Sequence, residues 1–201
     1  MRESERLQTA LEDYKGWRLS QGADLDDWLY PHWNQLSDAF LALLYSSAPS
    51  DWGAVELEAV QNALNASRNF IELIPEELIF DVFTQRYPER SFRMSLLAES
   101  RNLEDAGKVE KVLLHFFLSD ESEAINDHAF KMLAGRRWCH VEEFAEKLWK
   151  TGDTARKMAV LSALENYGSQ QLEHFLELAS YEAELLGYVR SIRALRDSHR
   201  W

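Results

Sequence analysis

Cysteine, proline and glycine are all scarce in this sequence. Cys139 is the single cysteine in 201 residues, which excludes an internal disulfide framework and is typical of proteins in a reducing compartment. The 8 glycines are isolated from one another, so there is no glycine-rich loop that could cradle a phosphate. Residues 1–20 lack the apolar run of a signal peptide, and the longest apolar stretch, around Ala39–Tyr45, is too short to span a bilayer. We therefore expect a soluble, cytoplasmic protein that makes no membrane contact.

Positive charge is missing from a long stretch near the N-terminus. No Lys or Arg occurs between Leu19 and Ser67, and the whole chain has a net charge of −12. The acidic residues of this stretch are Asp24, Asp26, Asp27, Asp38, Asp51, Glu56 and Glu58. Such a field repels nucleic acid and attracts basic partners, although acidic surfaces are also common in soluble bacterial proteins. Direct nucleic-acid binding is therefore not expected.

Motifs for catalysis or metal binding are also missing. There is no HExxH sequence, and His140 with Glu143 supplies only two potential ligands on one helix face, which are too few to hold a metal. Cys139 precedes His140, but adjacent helical side chains point about 100° apart and cannot form a Cys–His pair. We interpret Cys139 as a partly buried structural thiol. No catalytic residue, metal or cofactor is predicted.

Apolar residues with helical spacing run through the whole chain. In the first half they predict a helix with a stripe of Leu7, Ala10, Leu11 and Tyr14 and a second helix over 34–46. They also predict a third helix capped by Ser50, with Val55, Ala59, Val60 and Leu64 inward, then one that begins at Pro75 and one over 90–102. No stretch shows the period-two alternation of a strand. The fold class is therefore predicted to be all-α.

The second half repeats at a spacing of 31 residues. The matching apolar positions are Leu113/Phe144/Phe175, Leu114/Ala145/Leu176, Phe117/Leu148/Ala179, Phe130/Leu161/Ile192 and Leu133/Leu164/Leu195. Each helix has one apolar stripe that it cannot bury alone, so this period predicts stacked pairs of helices. First helices are predicted over 108–118, 140–150 and 170–179, and second helices over 122–135, 153–166 and 182–196.

Residues 154–168, TARKMAVLSALENYG, resemble the second helix of a short HEAT-like repeat. An arginine lies near the start of this segment, an alanine in its middle and an Ala-Leu pair near its end. The resemblance covers about 108–200 and implies a HEAT-like α-solenoid, with three antiparallel helix-pair repeats over 108–201 forming a single compact unit. Residues 1–107 are expected to form an irregular helical half packed on these repeats, since the 31-residue register is lost there.

A stripe of arginines marks the last predicted helix. Arg190, Arg193 and Arg196 follow one another at intervals of three, with Arg200 beyond them. HEAT-like DNA glycosylases use concave basic stripes, so a lyase- or glycosylase-type enzyme on this scaffold is one alternative. Because acidic residues are interleaved with the arginines, we prefer a solvated face paired with neighbouring carboxylates.

The acidic stretch also contains tryptophans, and we take it as the candidate partner-binding segment. Its candidate residues are Asp24, Asp26, Asp27, Trp28, Asp38, Asp51, Trp52 and Glu56. Tryptophan is enriched at protein interfaces, and acidic patches steer basic partners. The tryptophans could instead cover the open end of the repeats, an alternative that fits Trp33 in particular.

These features favour a non-catalytic protein-binding module. The chain resembles bacterial immunity proteins in its small size, acidity and helical character, and this resemblance implies tight 1:1 binding to a toxin domain. A basic, nuclease-type toxin is the expected partner, because an acidic surface can block a nucleic-acid groove. A HEAT-like adaptor or assembly factor is the alternative within the binding class.

Overall fold

The computed structural model describes residues 2–21, 26–103 and 105–198. Within these ranges the chain forms twelve α-helices and no β-strand, which confirms the predicted all-α class. Over the same residues, the helices are all too short or too polar to pass through a lipid bilayer. The chain divides into two compact units, Met1–Ala98 and Glu99–Trp201.

Six helices form the first unit, and two 3₁₀ turns separate the longest of them. The helices are α1 (Glu3–Gln21), α2 (Trp33–Ser46), α3 (Ala54–Ala66), α4 (Asn69–Glu72), α5 (Ile79–Phe83) and α6 (Arg90–Glu99). The 3₁₀ turns are Asp27–Leu29, between α1 and α2, and Pro49–Asp51, between α2 and α3. The two longest helices agree with the predicted ones, whereas α4 was not predicted.

The core of the first unit lies among α1, α2 and α3, each of which packs against the other two. As predicted, Leu7, Leu11 and Tyr14 are buried on one stripe of α1. The unpredicted helix α4 contributes Phe70, whose ring centroid lies 4.9 Å from that of Phe40. A helix of one turn can therefore supply a fully buried aromatic side chain.

Three expectations for the first unit are wrong in detail. Ser50 does not cap α3, because Pro49 opens a 3₁₀ turn there and the chain is extended at Trp52 before the helix begins. One consequence is that Val55, predicted to point inward, lies in the first turn of α3 and is exposed. Pro75 likewise begins a separate turn rather than a helix, with the Leu78 N–H donating to its carbonyl at 2.9 Å, so α5 starts four residues later.

The second unit contains the three predicted helix pairs. Its helices are α7 (Ala106–Ser119), α8 (Glu123–Gly135), α9 (Val141–Thr151), α10 (Thr154–Tyr167), α11 (Leu172–Ser180) and α12 (Leu186–Ser198). Each first helix packs on its own second helix, and α8 packs on α10. A continuous solenoid arrangement of these pairs stays a prediction.

Burial in the second unit follows the 31-residue spacing in most positions, but Leu114, Phe144 and Leu148 of the first helices are only half-buried. Phe130, Leu161 and Ile192 are all buried, as are Leu133 and Leu164. The third member of the latter set, Leu195, was predicted to be inward but is 53% exposed. It lies on α12, which packs on α11 and has no described helix after it to cover its other side.

The backbone repeats at the ends of α8 and α10 as well. Arg137 and Gly168 are 31 residues apart, and both have left-handed backbone conformations, with φ of 64° and 73°. The residue after each closes the helix in the same way: Trp138 N–H donates to the Leu133 carbonyl at 3.1 Å, and Ser169 N–H to the Leu164 carbonyl at 3.0 Å. These are the 6→1 bonds of a Schellman motif. The 31-residue period therefore applies to the backbone conformation at the helix ends as well as to the positions of the apolar residues.

Candidate partner-binding surface

The candidate partner-binding residues divide into exposed and internal groups. Asp24 lies outside the described residues. Asp26, Trp28, Asp38 and Asp51 are exposed. Asp27, Trp52 and Glu56 instead make contacts within the first unit: Trp52 is buried, and Asp27 and Glu56 are half-buried. A part for these three in partner binding stays a prediction.

Asp27 is a nearly enclosed carboxylate that joins three parts of the first unit. Its side chain is 12% exposed, and Arg18 of α1 lies 3.3 Å from its Oδ1. The hydroxyls of Tyr14 and Ser67 both donate to it, and Asn69 Nδ2 donates at 3.1 Å. A carboxylate in this position needs such donors, because an unpaired buried charge is costly. Asp27 therefore ties this turn to α1 and to the junction between α3 and α4.

Tyr14 shows the electrostatic effect of this arrangement. Burial raises the pKa of the Tyr14 phenol above its ordinary value, and the neighbouring Asp27 carboxylate raises it further. The phenol therefore keeps its proton and stays a hydrogen-bond donor to Asp27. The hydrogen bond from Tyr14 to Asp27 therefore keeps its donor proton near neutral pH and links the turn to α1.

Tyr30 anchors the other end of the same turn. It is buried, and its ring packs edge-on against Tyr14 with the centroids 5.4 Å apart. A tilted contact joins it to Trp17 at 5.3 Å. Trp28 and Leu29 lie between this anchor and Asp27. Trp28 is 65% exposed, and Leu29 is also exposed. The chain thus holds two large apolar side chains in solvent between two fixed residues.

Trp52 and Glu56 serve the structure of the first unit. Trp52 is 7% exposed, and its Nε1 is buried without a hydrogen-bond partner among the described residues. The Glu56 carboxylate accepts from the Gly53 N–H at 3.1 Å at the start of α3 and from Ser4 Oγ at 3.4 Å. An acidic side chain at this end of a helix is stabilising. Helix capping therefore accounts for Glu56.

Asp38 lies on the solvent side of α2 together with an aromatic residue that the sequence did not single out. Tyr45 is seven residues further along, which places both on one helical face, and its ring is exposed. Its hydroxyl donates to Glu77 at 3.3 Å. The seven-residue spacing of Asp38 and Tyr45 in the sequence could have predicted that the two side chains share this face. The remaining tryptophan of the segment, Trp33, faces inward onto Phe70 with the ring centroids 5.3 Å apart.

The second unit contains a carboxylate with a perturbed pKa and a polar cleft, the two features that a lyase- or glycosylase-type enzyme would need in one place. Asp127 of α8 is half-buried, and burial raises the pKa of its carboxyl even though Arg156 donates to it at 2.9 Å. A polar cleft of about 220 Å³ lies elsewhere, lined by Glu173, Arg193, Arg196 and Asp197. The perturbed carboxylate and the cleft are therefore separate features. Arg196 pairs with Glu173, which agrees with the expected solvated face.

Potential reactive groups in the second unit are isolated. Cys139 is exposed, so the prediction of a partly buried thiol is wrong; it lies in the connection between α8 and α9, where the chain turns outside the helix packing. His140 Nδ1 is 3.5 Å from Glu143. Across the described residues, no three His, Cys, Asp or Glu side chains are grouped so that they could hold a metal.

Comparison with protein-family models, curated proteins and solved structures gave no match. The HEAT-like and immunity-protein resemblances therefore stay predictions from the sequence.

Proposed function

We propose that this chain is a non-catalytic binding protein that neutralises a basic, nuclease-type toxin domain by forming a 1:1 complex with it. The observation that supports this proposal best is the exposure of Trp28 within residues 19–67, a stretch that holds no Lys or Arg. Exposed tryptophan is rare on surfaces without a partner and frequent at the centre of interfaces.

Charge complementarity supports the same partner. Asp26, Asp38 and Asp51 are exposed, and residues 19–67 of the sequence contain no Lys or Arg. A nuclease carries a basic groove for its phosphate backbone, so an acidic protein surface both attracts that groove and competes with the nucleic acid. Charged rims of this kind accelerate association, whereas a buried aromatic anchor slows dissociation.

An adaptor or assembly factor is the second candidate, and a specific observation favours it. Four large apolar side chains are exposed in the last helix pair and its connection: Leu178, Tyr181, Leu186 and Leu195. Exposed apolar residues in one part of a protein are a common mark of an interaction surface. An adaptor would use this part of the second unit, while the toxin-binding proposal uses the first unit.

Inhibition of the partner nuclease tests the proposed function. The basic polypeptide encoded by the adjacent reading frame is the partner to try first, with its nuclease activity measured as the purified chain is titrated in. We expect activity to fall linearly to near zero at a 1:1 ratio. A neighbouring product that is not a nuclease, or a nuclease that stays active in tenfold excess of the chain, would contradict the proposal.

Matched charge variants test whether the exposed acids of the first unit form the contact with the toxin. Asp26→Asn, Asp38→Asn and Asp51→Asn together neutralise the three exposed acids among the candidate partner-binding residues. The control carries the same change in net charge on exposed acids of the second unit, with Glu110, Glu146 and Glu177 all replaced by Gln. The first triple variant should weaken inhibition, and the second should inhibit like the unaltered chain. The reverse pattern would contradict the assignment of the toxin contact to the first unit.

A further inference from the structure

The turn that carries Trp28 is unusual because its two ends are fixed while its middle is in solvent. Asp27 is held by four side chains, and Tyr30 is held by the aromatic rings of α1. Asp26 and Trp28, on either side of Asp27, are both exposed. A binding group on a fixed backbone loses little conformational freedom when it meets a ligand. The turn is therefore pre-organised for binding.

We infer that the Asp26–Leu29 turn is a receptor for an arginine side chain of the basic partner, with Trp28 providing the aromatic face and Asp26 the negative charge. This inference rests on the proposed function and names the group that the candidate surface recognises. It assigns different roles to neighbouring residues: Trp28 and Asp26 contact the partner, and Asp27 positions them.

The chemistry of the turn favours arginine over other side chains. A cation over the face of an indole is attracted by the ring quadrupole, and tryptophan is the best of the aromatic side chains for this interaction. The guanidinium group is planar, stacks on aromatic rings and binds carboxylates with two parallel hydrogen bonds, which a lysine ammonium cannot do. Residues 19–67 contain no Lys or Arg, and the cation beside the turn, Arg18, lies 3.3 Å from Asp27.

Peptide binding to the full chain tests this inference directly. The probe is a short peptide of alternating arginine and alanine, and its lysine counterpart has the same charge. Binding is followed through the indole N–H resonance of Trp28 in a nitrogen–proton correlation spectrum at low salt. We expect the arginine peptide to bind several-fold more tightly than the lysine peptide, and the Trp28 resonance to shift with saturation.

The variants distinguish an aromatic site from general charge attraction. Trp28→Ala and Trp28→Leu should each weaken binding about tenfold, since leucine keeps an apolar side chain but has no aromatic face, and Trp28→Phe should lose less. Tyr181→Ala removes an aromatic side chain that is 88% exposed in the second unit, so this control should bind like the unaltered chain. Each variant is compared only after its circular dichroism and melting temperature match those of the unaltered chain.

Three results would overturn the inference: no measurable binding of the arginine peptide, full affinity in Trp28→Leu, or an equal loss in Tyr181→Ala. These results are independent of the toxin assay. A chain that binds the arginine peptide through Trp28 but inhibits no nuclease would contradict only the proposed function. A nuclease inhibitor that is unaffected by Trp28→Leu would contradict only the arginine receptor.

Discussion

Asp27 accepts a hydrogen bond from the hydroxyl of Ser67, a residue 40 positions further along the chain. This bond connects the Asp27–Leu29 turn to the junction between α3 and α4, so the Asp27 side chain is tied to the core of the first unit. The two neighbours of Asp27 are left exposed as a result. Three consecutive residues of an acidic, aromatic stretch thus have different roles, and their order in the sequence determines which of them can reach a partner.

Removal of the Asp27 carboxylate should destabilise the protein. Asp27→Ala leaves the hydroxyls of Tyr14 and Ser67 and the Arg18 guanidinium without their shared acceptor, so we expect a loss of about 3 kcal/mol in the free energy of unfolding. Urea unfolding followed by circular dichroism measures this loss. Asp26→Asn, at an exposed position, should change the free energy by less than about 0.5 kcal/mol. Equal effects of the two substitutions would show that Asp27 has no special structural role.

Two leucines 31 residues apart should respond very differently to truncation. Leu164 is fully buried and Leu195 is half exposed. Leu164→Ala should therefore cost about 2–5 kcal/mol of unfolding free energy, whereas Leu195→Ala should cost less than about 1 kcal/mol. Chemical denaturation of the two variants gives both values. A cost at Leu195 as large as that at Leu164 would mean that α12 is covered on both sides.

At position 137 glycine should stabilise the protein more than alanine does, whereas within a helix alanine is the more stabilising of the two. Its φ of 64° is unfavourable for a residue with a Cβ atom, while its guanidinium donates to the Tyr167 carbonyl. Both Arg137→Ala and Arg137→Gly lose that contact, and only the glycine variant loses the backbone strain. We expect Arg137→Gly to be more stable than Arg137→Ala by about 1 kcal/mol in urea unfolding.

A matched pair within a helix provides the control for Arg137. Glu146 is exposed in the middle of α9, and there Glu146→Ala should be more stable than Glu146→Gly by about 1 kcal/mol. If alanine is the better residue at both positions, the left-handed conformation of Arg137 is incorrect.

Asp127 should make stability fall as pH rises. Burial raises the pKa of its carboxyl in the folded state, so the folded protein binds this proton more readily than the unfolded chain does. The resulting contribution to stability is complete below the ordinary pKa of aspartate, about 4, and is lost as pH rises through the raised value. Relative to Asp127→Asn, which does not titrate, the unaltered chain should lose stability from about pH 4 upwards. A stability difference that is independent of pH, measured by urea unfolding, would contradict this assignment.

The long helices could be predicted from the sequence because their apolar spacing is local information. The stripes of α1, α8 and α10 are examples, since each repeats over three or more turns and needs no knowledge of a distant residue. The short helix α4 has too few residues to show a period. Leu195 is exposed because no described helix follows α12 to cover it. The apolar spacing around Leu195 does not contain that information.

The candidate surface was less predictable for a related reason. Asp26 and Asp27 are adjacent and chemically identical, and only the donors from Tyr14, Ser67 and Asn69 make Asp27 internal. Trp28 and Trp52 differ in the same way, with one in solvent and the other enclosed. Composition indicated which stretch was acidic and aromatic. Long-range packing decided which of its side chains are available to a partner.

The kinetics of association test the central claim most directly. Stopped-flow mixing with the basic nuclease domain, at low and at moderate ionic strength, compares the unaltered chain with the variant in which Asp26, Asp38 and Asp51 are all replaced by Asn. If these acids steer the partner, the variant should associate about tenfold more slowly at low salt, and its rate constant should depend less on salt. An association rate constant and a salt dependence that are the same for both proteins would contradict the account.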